Sequence, residues 1–290
     1  MLLKTFVGFA LPVSIWFVVL SLGARASFAD ALFLIRRPGL LVRALIAIFV
    51  VMPAFALFVS SVFPLAPEIK FALVALSVSP VPPTLPVKQM KLGTREDYVV
   101  GLLVAASLVS LVATPLLVAF ASSILGVKAA ISAGETARLV GISVGFPLAV
   151  GMWLKSAAPG AAAVVSRYAN LFGLQLLVIA VFLIVISAWP NIVVLVGNGA
   201  IAAIVATVLV GLVSGHLLAG YQDANGALGL AAAARHPGVA IAIGAASFPM
   251  QVENATAAVL LFLLVNGLVT APYILWMKHH TETSATTSST

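Results

Sequence analysis

Apolar residues in this chain come in long unbroken blocks, and polar residues fall between the blocks instead of alternating within them. Blocks of about 17–25 residues match the length a helix needs to cross a hydrocarbon core. The absence of period-two alternation argues against an outer-membrane barrel. The blocks predict ten membrane segments. The first is Thr5 to Leu22. The second, Ser27 to Ile35, is short and ends at Arg36-Arg37-Pro38. The third is Leu40 to Val62, and the fourth begins near Ile69 and runs into a cluster of prolines. The fifth is Tyr98 to Leu125, the sixth Arg138 to Leu154, the seventh Leu171 to Trp189 and the eighth Ile192 to Leu218. The ninth begins near Ala227 and is interrupted at Arg235-His236-Pro237-Gly238. The tenth is Thr256 to Met277.

Two of these segments break themselves. The fourth meets Pro80, Pro82, Pro83 and Pro86, and proline removes a backbone donor and clashes with the preceding helical turn. The ninth breaks at Pro237 and Gly238. Each is the fourth segment of a set of five, so the pattern predicts two inverted five-helix repeats, residues 1–125 and 126–278, with a disordered cytoplasmic tail over 279–290. Irregular backbone at membrane depth survives only when buried in protein or lining a cavity. The two breaks are therefore expected to cross near the midplane, in the manner of a secondary transporter.

Composition agrees. Hydrophobic residues make up 62% of the chain and charged residues 8%, against about 25% charged in soluble domains. The fold class is therefore all-α integral membrane. The chain has no cysteine, which excludes disulfides and thiolate metal sites. A formal net charge of +7 is a weak signal for nucleic acid, because the basic residues sit at segment ends and none are interleaved with aromatics. The partners predicted are a small organic anion and the lipid bilayer, with no nucleic acid; the oligomeric state is unspecified. The N-terminal segment lacks a small-x-small cleavage site and is read as the first span. With both termini in the cytoplasm, ten basic residues fall inside and four (Arg25, Lys70, Lys128, Arg138) outside, as the positive-inside rule requires of an inner-membrane protein.

Chemistry concentrates at the breaks. Arg235 is a charge within a span, a functional residue by default. It serves either as a fixed cation, in place of an ion or on a substrate carboxylate, or as a cap for the carbonyls of a broken half-helix. His236 can titrate and carry proton coupling, or simply bond the break. Ser79 and Thr84 flank the first break. Lys88 and Gln89 follow it; Lys88 faces either the crossing or, by snorkelling, the interface. Ser107, Ser110 and Thr114 share one helix face, available to a ligand or to helix packing. Asp30 is expected to pair with Arg36 and Arg37, and His216 to be a packed or helix-end residue. No cofactor is implied beyond a coupling ion, sodium or proton. No H-E-x-x-H, G-x-S-x-G or phosphate-binding glycine loop occurs, so no enzyme chemistry is predicted.

The stretch FLIRRPGLLVRALIAIFVVMPAFALFVSSVFPLAPEIKFALVALSVSPVPPT resembles the bile acid:sodium symporter superfamily. The resemblance rests on Arg36-Arg37-Pro38, Met52-Pro53, the break from Pro80 to Thr84 and Thr114-Pro115-Leu116. It implies a ten-span fold with a core of spans three to five and eight to ten, and a panel of spans one, two, six and seven. It also implies transport of organic anions, usually with sodium. Sodium-coupled members carry a proline-glycine-glycine-threonine break and, in the ninth span, a glutamate followed by amides. Here the first break is Pro80-Val81-Pro82-Pro83-Thr84, and Ala231 to His236 reads AAAARH. The function expected is alternating-access transport of a small organic anion. The alternatives are a channel or membrane sensor on the same scaffold, or a cation–proton antiporter.

Overall fold

The computed structural model describes residues 2–125, 133–220, 222–247 and 252–287, and these are helical with no strand among them. Helix α1 is Leu2–Gly23 and α2 is Phe28–Ala31. Helix α3 (Pro38–Ile46) passes through a π-helical turn, Ala47–Val51, into α4 (Met52–Val62). Then come α5 (Pro67–Val78), α6 (Leu85–Met90) and α7 (Glu96–Leu125). Helix α8 (Ala133–Val140) continues through a second π turn, Gly141–Gly145, into α9 (Phe146–Ala157). The rest are α10 (Pro159–Leu195), α11 (Ala200–Leu218), α12 (Gln222–Ala233), α13 (Pro237–Ser247) and α14 (Val252–Thr287).

Prolines do much of this punctuation. α3, α5, α10 and α13 each begin on one, where the missing N–H would have had no helical partner. Each π turn is followed two residues later by a proline, Pro53 or Pro147. The extra residue in the turn lets the helix continue past a ring that would otherwise clash with the preceding turn.

Among the described residues six helices are long and apolar enough to cross a membrane, among them α7, α10, α11 and the joined α3–α4. The second predicted span is not a crossing. Its only helix is α2, four residues long, followed by turns. Four residues rise about 6 Å, far short of the ~30 Å hydrocarbon core. A capping box starts it: Ser27 accepts from the Asp30 N–H, while Asp30 Oδ2 accepts from the Ser27 N–H and hydroxyl at 2.6 Å each. Asp30 thus caps a helix instead of pairing with Arg36 and Arg37, and Arg37 lies 3.8 Å over the Phe33 ring.

Two further boundaries differ from the sequence pattern. Pro190 lies inside α10, and the chain turns instead at Gly197, Asn198 and Gly199, all with positive φ. The last helix also runs beyond the predicted end at Met277, since α14 continues to Thr287 and extending a helix that is already nucleated costs little. Residues 288–290 lie outside the described residues, as do residues 126–132 at the predicted boundary between halves.

The helices sort into two groups. α1, α9 and α10 pack together as a panel. The core holds α3–α4, α5, α6, α7, α11, α12, α13 and α14. Both groups use glycine for close approach. A Cβ on Gly23 would collide with the Leu148 carbonyl oxygen in the panel, and one on Gly215 with that of Leu228 in the core. The most buried apolar window is Ala224–Ile243, 72% inside, against 11% for α10. The broken span is therefore central, and α10 turns most of its surface outward, toward lipid in a bilayer.

Candidate functional site

The two breaks meet. The His236 N–H donates to the Pro80 carbonyl at 2.9 Å, joining one break to the other through backbone. α5 packs on α13 and α6 on α12, the arrangement of two antiparallel broken helices that cross. Gln89, buried on α6, ties the same pair by donating from Nε2 to the Ala227 carbonyl at 2.7 Å.

A helix leaves its last carbonyls without intrahelical donors. α5 ends at Val78, and three successive carbonyls there find donors from elsewhere. Val78 O accepts from Thr114 Oγ1 at 2.8 Å, Ser79 O from Arg235 Nη1 at 3.4 Å, and Pro80 O from the His236 N–H. α12 ends at Ala233, whose carbonyl accepts from Asn266 Nδ2 at 2.9 Å. Each broken span is thus capped by the helix that follows it in sequence, α7 for the first and α14 for the second.

Arg235 is 1% exposed, and its Nη2 donates to Ile48 O at 2.8 Å. That carbonyl lies in the π turn of the α3–α4 helix. In the five-residue register of a π turn, the donor for Ile48 would be Pro53, which has no N–H. The guanidinium therefore bridges two carbonyls orphaned by prolines, Ser79 O beside Pro80 and Ile48 O below Pro53. Its Nε has no partner. His236 is buried beside it. Its Nδ1 accepts from the Val239 N–H at 3.4 Å over the first turn of α13, and its Nε2 has no partner.

The other predicted residues divide. Ser79 Oγ donates to the Ala75 carbonyl of its own helix, and Ser110 Oγ to Ser107 O. Ser107, buried with an unpartnered hydroxyl, faces a cavity of about 250 Å³ between α7 and the α8–α9 helix, not the crossing. Of that hydroxyl face only Thr114 bonds the broken span. Thr84 is half-buried ahead of α6 and makes no side-chain cap bond. Lys88 is exposed and does not face the crossing. Two participants escaped the sequence reading. Asn266 was visible as a lone amide in the apolar run LLVNGLV; Ile48 acts through its backbone and left no signal. His216 bonds Tyr273 through Nδ1 at 2.9 Å, joining α11 to α14 away from the breaks.

Where panel meets core, a crevice of about 420 Å³ opens between α1 and α10 on one side and α13 and α14 on the other. Its walls are mostly apolar, including Leu11, Ile184, Ile241 and Leu260. Ser187, Asn191 and Thr256 supply polar groups, Pro237 brings the start of α13 to its edge, and Glu253 stands exposed at the rim.

A crossed pair of broken helices beside a panel–core crevice can be set against known families. The family model for the Sodium Bile acid symporter family matches residues 12–198. The chain belongs to the sodium bile acid symporter family. The match spans α1 to α10 and ends before α11, so it covers the first break and not Arg235 and His236. Among curated proteins none matches the chain. Within this family frame the Met52-Pro53 pair acquires a physical role, since Pro53 leaves free the carbonyl that Arg235 takes. Membership makes the chain a multi-pass membrane protein of a transporter family.

Proposed function

We propose that the protein is a secondary transporter of a small organic anion that works by alternating access, the panel rocking against the core around the crossing. The observation that carries this reading is the crevice between the two groups, edged by Pro237 of the second break. Half-helix N-termini present the positive end of a helix dipole, which favours an anionic group, and broken helices place such ends near the membrane midplane. The apolar walls fit the body of an amphiphilic carboxylate, and Asn191, Ser187 and Thr256 offer hydrogen bonds to its head. Glu253 at the rim works against an anion, so Glu253→Gln should lower the KM for uptake.

The architecture fits an inverted repeat in which the first half contributes four crossings and the second five. With the second segment not crossing, the termini lie on opposite sides, the N-terminus outside and the C-terminus in the cytoplasm. The charge rule accommodates this without loss. Lys4 moves outside and Arg25 inside, and the inside set becomes Arg25, Arg36, Arg37, Arg43, Lys88, Lys91, Arg95, Lys155, Arg167 and Lys278, again ten. In a bacterial-type cell this charge distribution supports an inner-membrane location. His236, with a free ring nitrogen beside the crevice edge, is the group through which protons would couple.

The test is uptake of labelled carboxylates into proteoliposomes. Saturable uptake, accelerated by unlabelled anion on the opposite side and abolished by Thr256→Trp in the crevice, is the expected result. Unsaturable flux without exchange points to a channel on the same scaffold, and proton flux driven by a cation gradient points to an antiporter.

A further inference from the structure

The family's name pairs its substrate with sodium, and a crossing of broken helices is where such an ion is held, by unwound carbonyls and half-helix C-terminal ends. The residues at this crossing do not fit one. The carbonyls of Ser79 and Ile48 are taken by Arg235, that of Pro80 by the His236 N–H, Val78 O by Thr114 and Ala233 O by Asn266. Sodium also favours a carboxylate among its oxygen ligands. No Asp or Glu occurs between Glu68 and Glu96, or between Asp223 and Glu253, so the acids of the two broken spans stand in the first turns of α5 and α12, at the ends away from the crossing. A guanidinium supplies donors only.

The same facts explain how the chain tolerates a buried cation with no acid beside it. α5 and α12 both end at the crossing, and each brings the negative end of a helix dipole there. Arg235 stands two residues past the end of α12 and reaches the end of α5. Its charge faces carbonyl dipoles from the first break and from the π turn of the α3–α4 helix. A sodium ion among the same carbonyls would sit against a like charge and would have to displace the fork.

We infer that Arg235 is a resident cation: its guanidinium occupies the carbonyl cradle that a crossing of broken helices would otherwise offer to sodium, so this protein works without a sodium ion at that position. The inference rests on the transporter reading for its meaning, because it removes sodium as the coupling ion. The cradle is filled by a covalently attached charge that cannot be released to either side, so the crossing has a permanent cation where a symporter needs an exchangeable one.

The experiment measures binding on the purified full chain at rest. Labelled sodium binding and thermal unfolding are compared in sodium chloride and choline chloride, for the wild type and for Arg235→Ala. The wild type should show no saturable sodium binding and the same melting temperature in both salts. Arg235→Ala should melt lower, and methylguanidinium should restore part of the loss at concentrations that leave the wild type unchanged. Saturable sodium binding, or sodium-specific stabilisation of the wild type, would overturn the inference. So would an Arg235→Ala variant with full wild-type stability in choline chloride. If that variant does not fold, the wild-type sodium measurement still decides. A protein that transported no organic anion would sink the transport reading, and these binding results would stand apart from it.

Discussion

The two breaks that cross are chemical opposites. The first, from Ser79 to Thr84, contains three prolines and gives the crossing only acceptors: the carbonyls of Ser79 and Pro80, next to that of Val78 at the end of α5. The second, Arg235-His236-Pro237, gives mainly donors, the guanidinium and the His236 N–H. A proline-rich break cannot pair with a copy of itself, because both strands would offer carbonyls and few N–H groups. The donors must come from elsewhere, and here the partner break brings them. Breaking a helix and supplying the matching donors are separate tasks, and this chain assigns one to each half.

The sharpest way to break that complementarity is to remove the donor side. Arg235→Met keeps the stem and strips the fork, leaving Ser79 O and Ile48 O buried without donors. An unsatisfied buried group costs about 1–3 kcal/mol, so the two together should dominate any single change at the crossing. The loss should appear as a large drop in melting temperature, or as no folded protein recovered from detergent. Arg235→Lys should fall between, since an ammonium keeps the charge but lacks the planar fork that spans two carbonyls. Equal stability for Lys and Arg would mean that charge alone matters and the bridging geometry does not.

Adding a donor to the acceptor side is the converse test. Pro83 is buried within the first break. Pro83→Ala introduces an N–H and frees the unfolded chain, and each effect should destabilise. The entropic part alone is about 0.4–1 kcal/mol, and a buried N–H left without an acceptor adds to it. Thermal unfolding that shows Pro83→Ala at wild-type stability would remove the reason given for the prolines.

The caps come next in size. Asn266→Leu and Thr114→Val each remove one hydrogen bond between helices, a bond worth about 0.6 kcal/mol on average and up to about 1.7 in membrane proteins. Because Pro80 O and the His236 N–H join the two breaks, the pair is expected to depart from additivity by more than about 0.5 kcal/mol. Strict additivity in a double-mutant cycle would show two independently capped helices that merely touch.

The sequence exposed the parts of this site that depend on side-chain type. Proline clusters marked the first break, and a charge inside an apolar run marked Arg235. What it hid depends on backbone. Every residue carries a carbonyl, so nothing in the letters singled out Ile48; only the π turn and the proline five residues on make its oxygen available. α2 was misread because its apolar residues looked like part of a span. Its Ser27-Phe28-Ala29-Asp30 capping box was nonetheless legible, and it marks the start of a helix near Ser27. The crossing as a whole was visible only through the matched positions of the two breaks, and the panel–core crevice not at all, since it is assembled from α1, α10 and the consecutive α13 and α14, three regions far apart in the chain.

The smallest effect is the most discriminating control. Lys88 and Gln89 are neighbours on α6, one exposed and one 1% exposed. Both follow the first break, and by sequence either was a candidate for the crossing. Only Gln89 crosses to the partner span, at Ala227 O. Gln89→Leu should therefore cost about 0.6–1.7 kcal/mol, the range for a lost interhelical bond. Lys88→Ala should stay within about 0.5 kcal/mol, as surface changes do, and should leave anion uptake unchanged. A Lys88→Ala variant that lost uptake while keeping its melting temperature would mean that α6 rotates during transport and brings this charge inward. The complementarity of the two breaks would then describe one state of the cycle, not both.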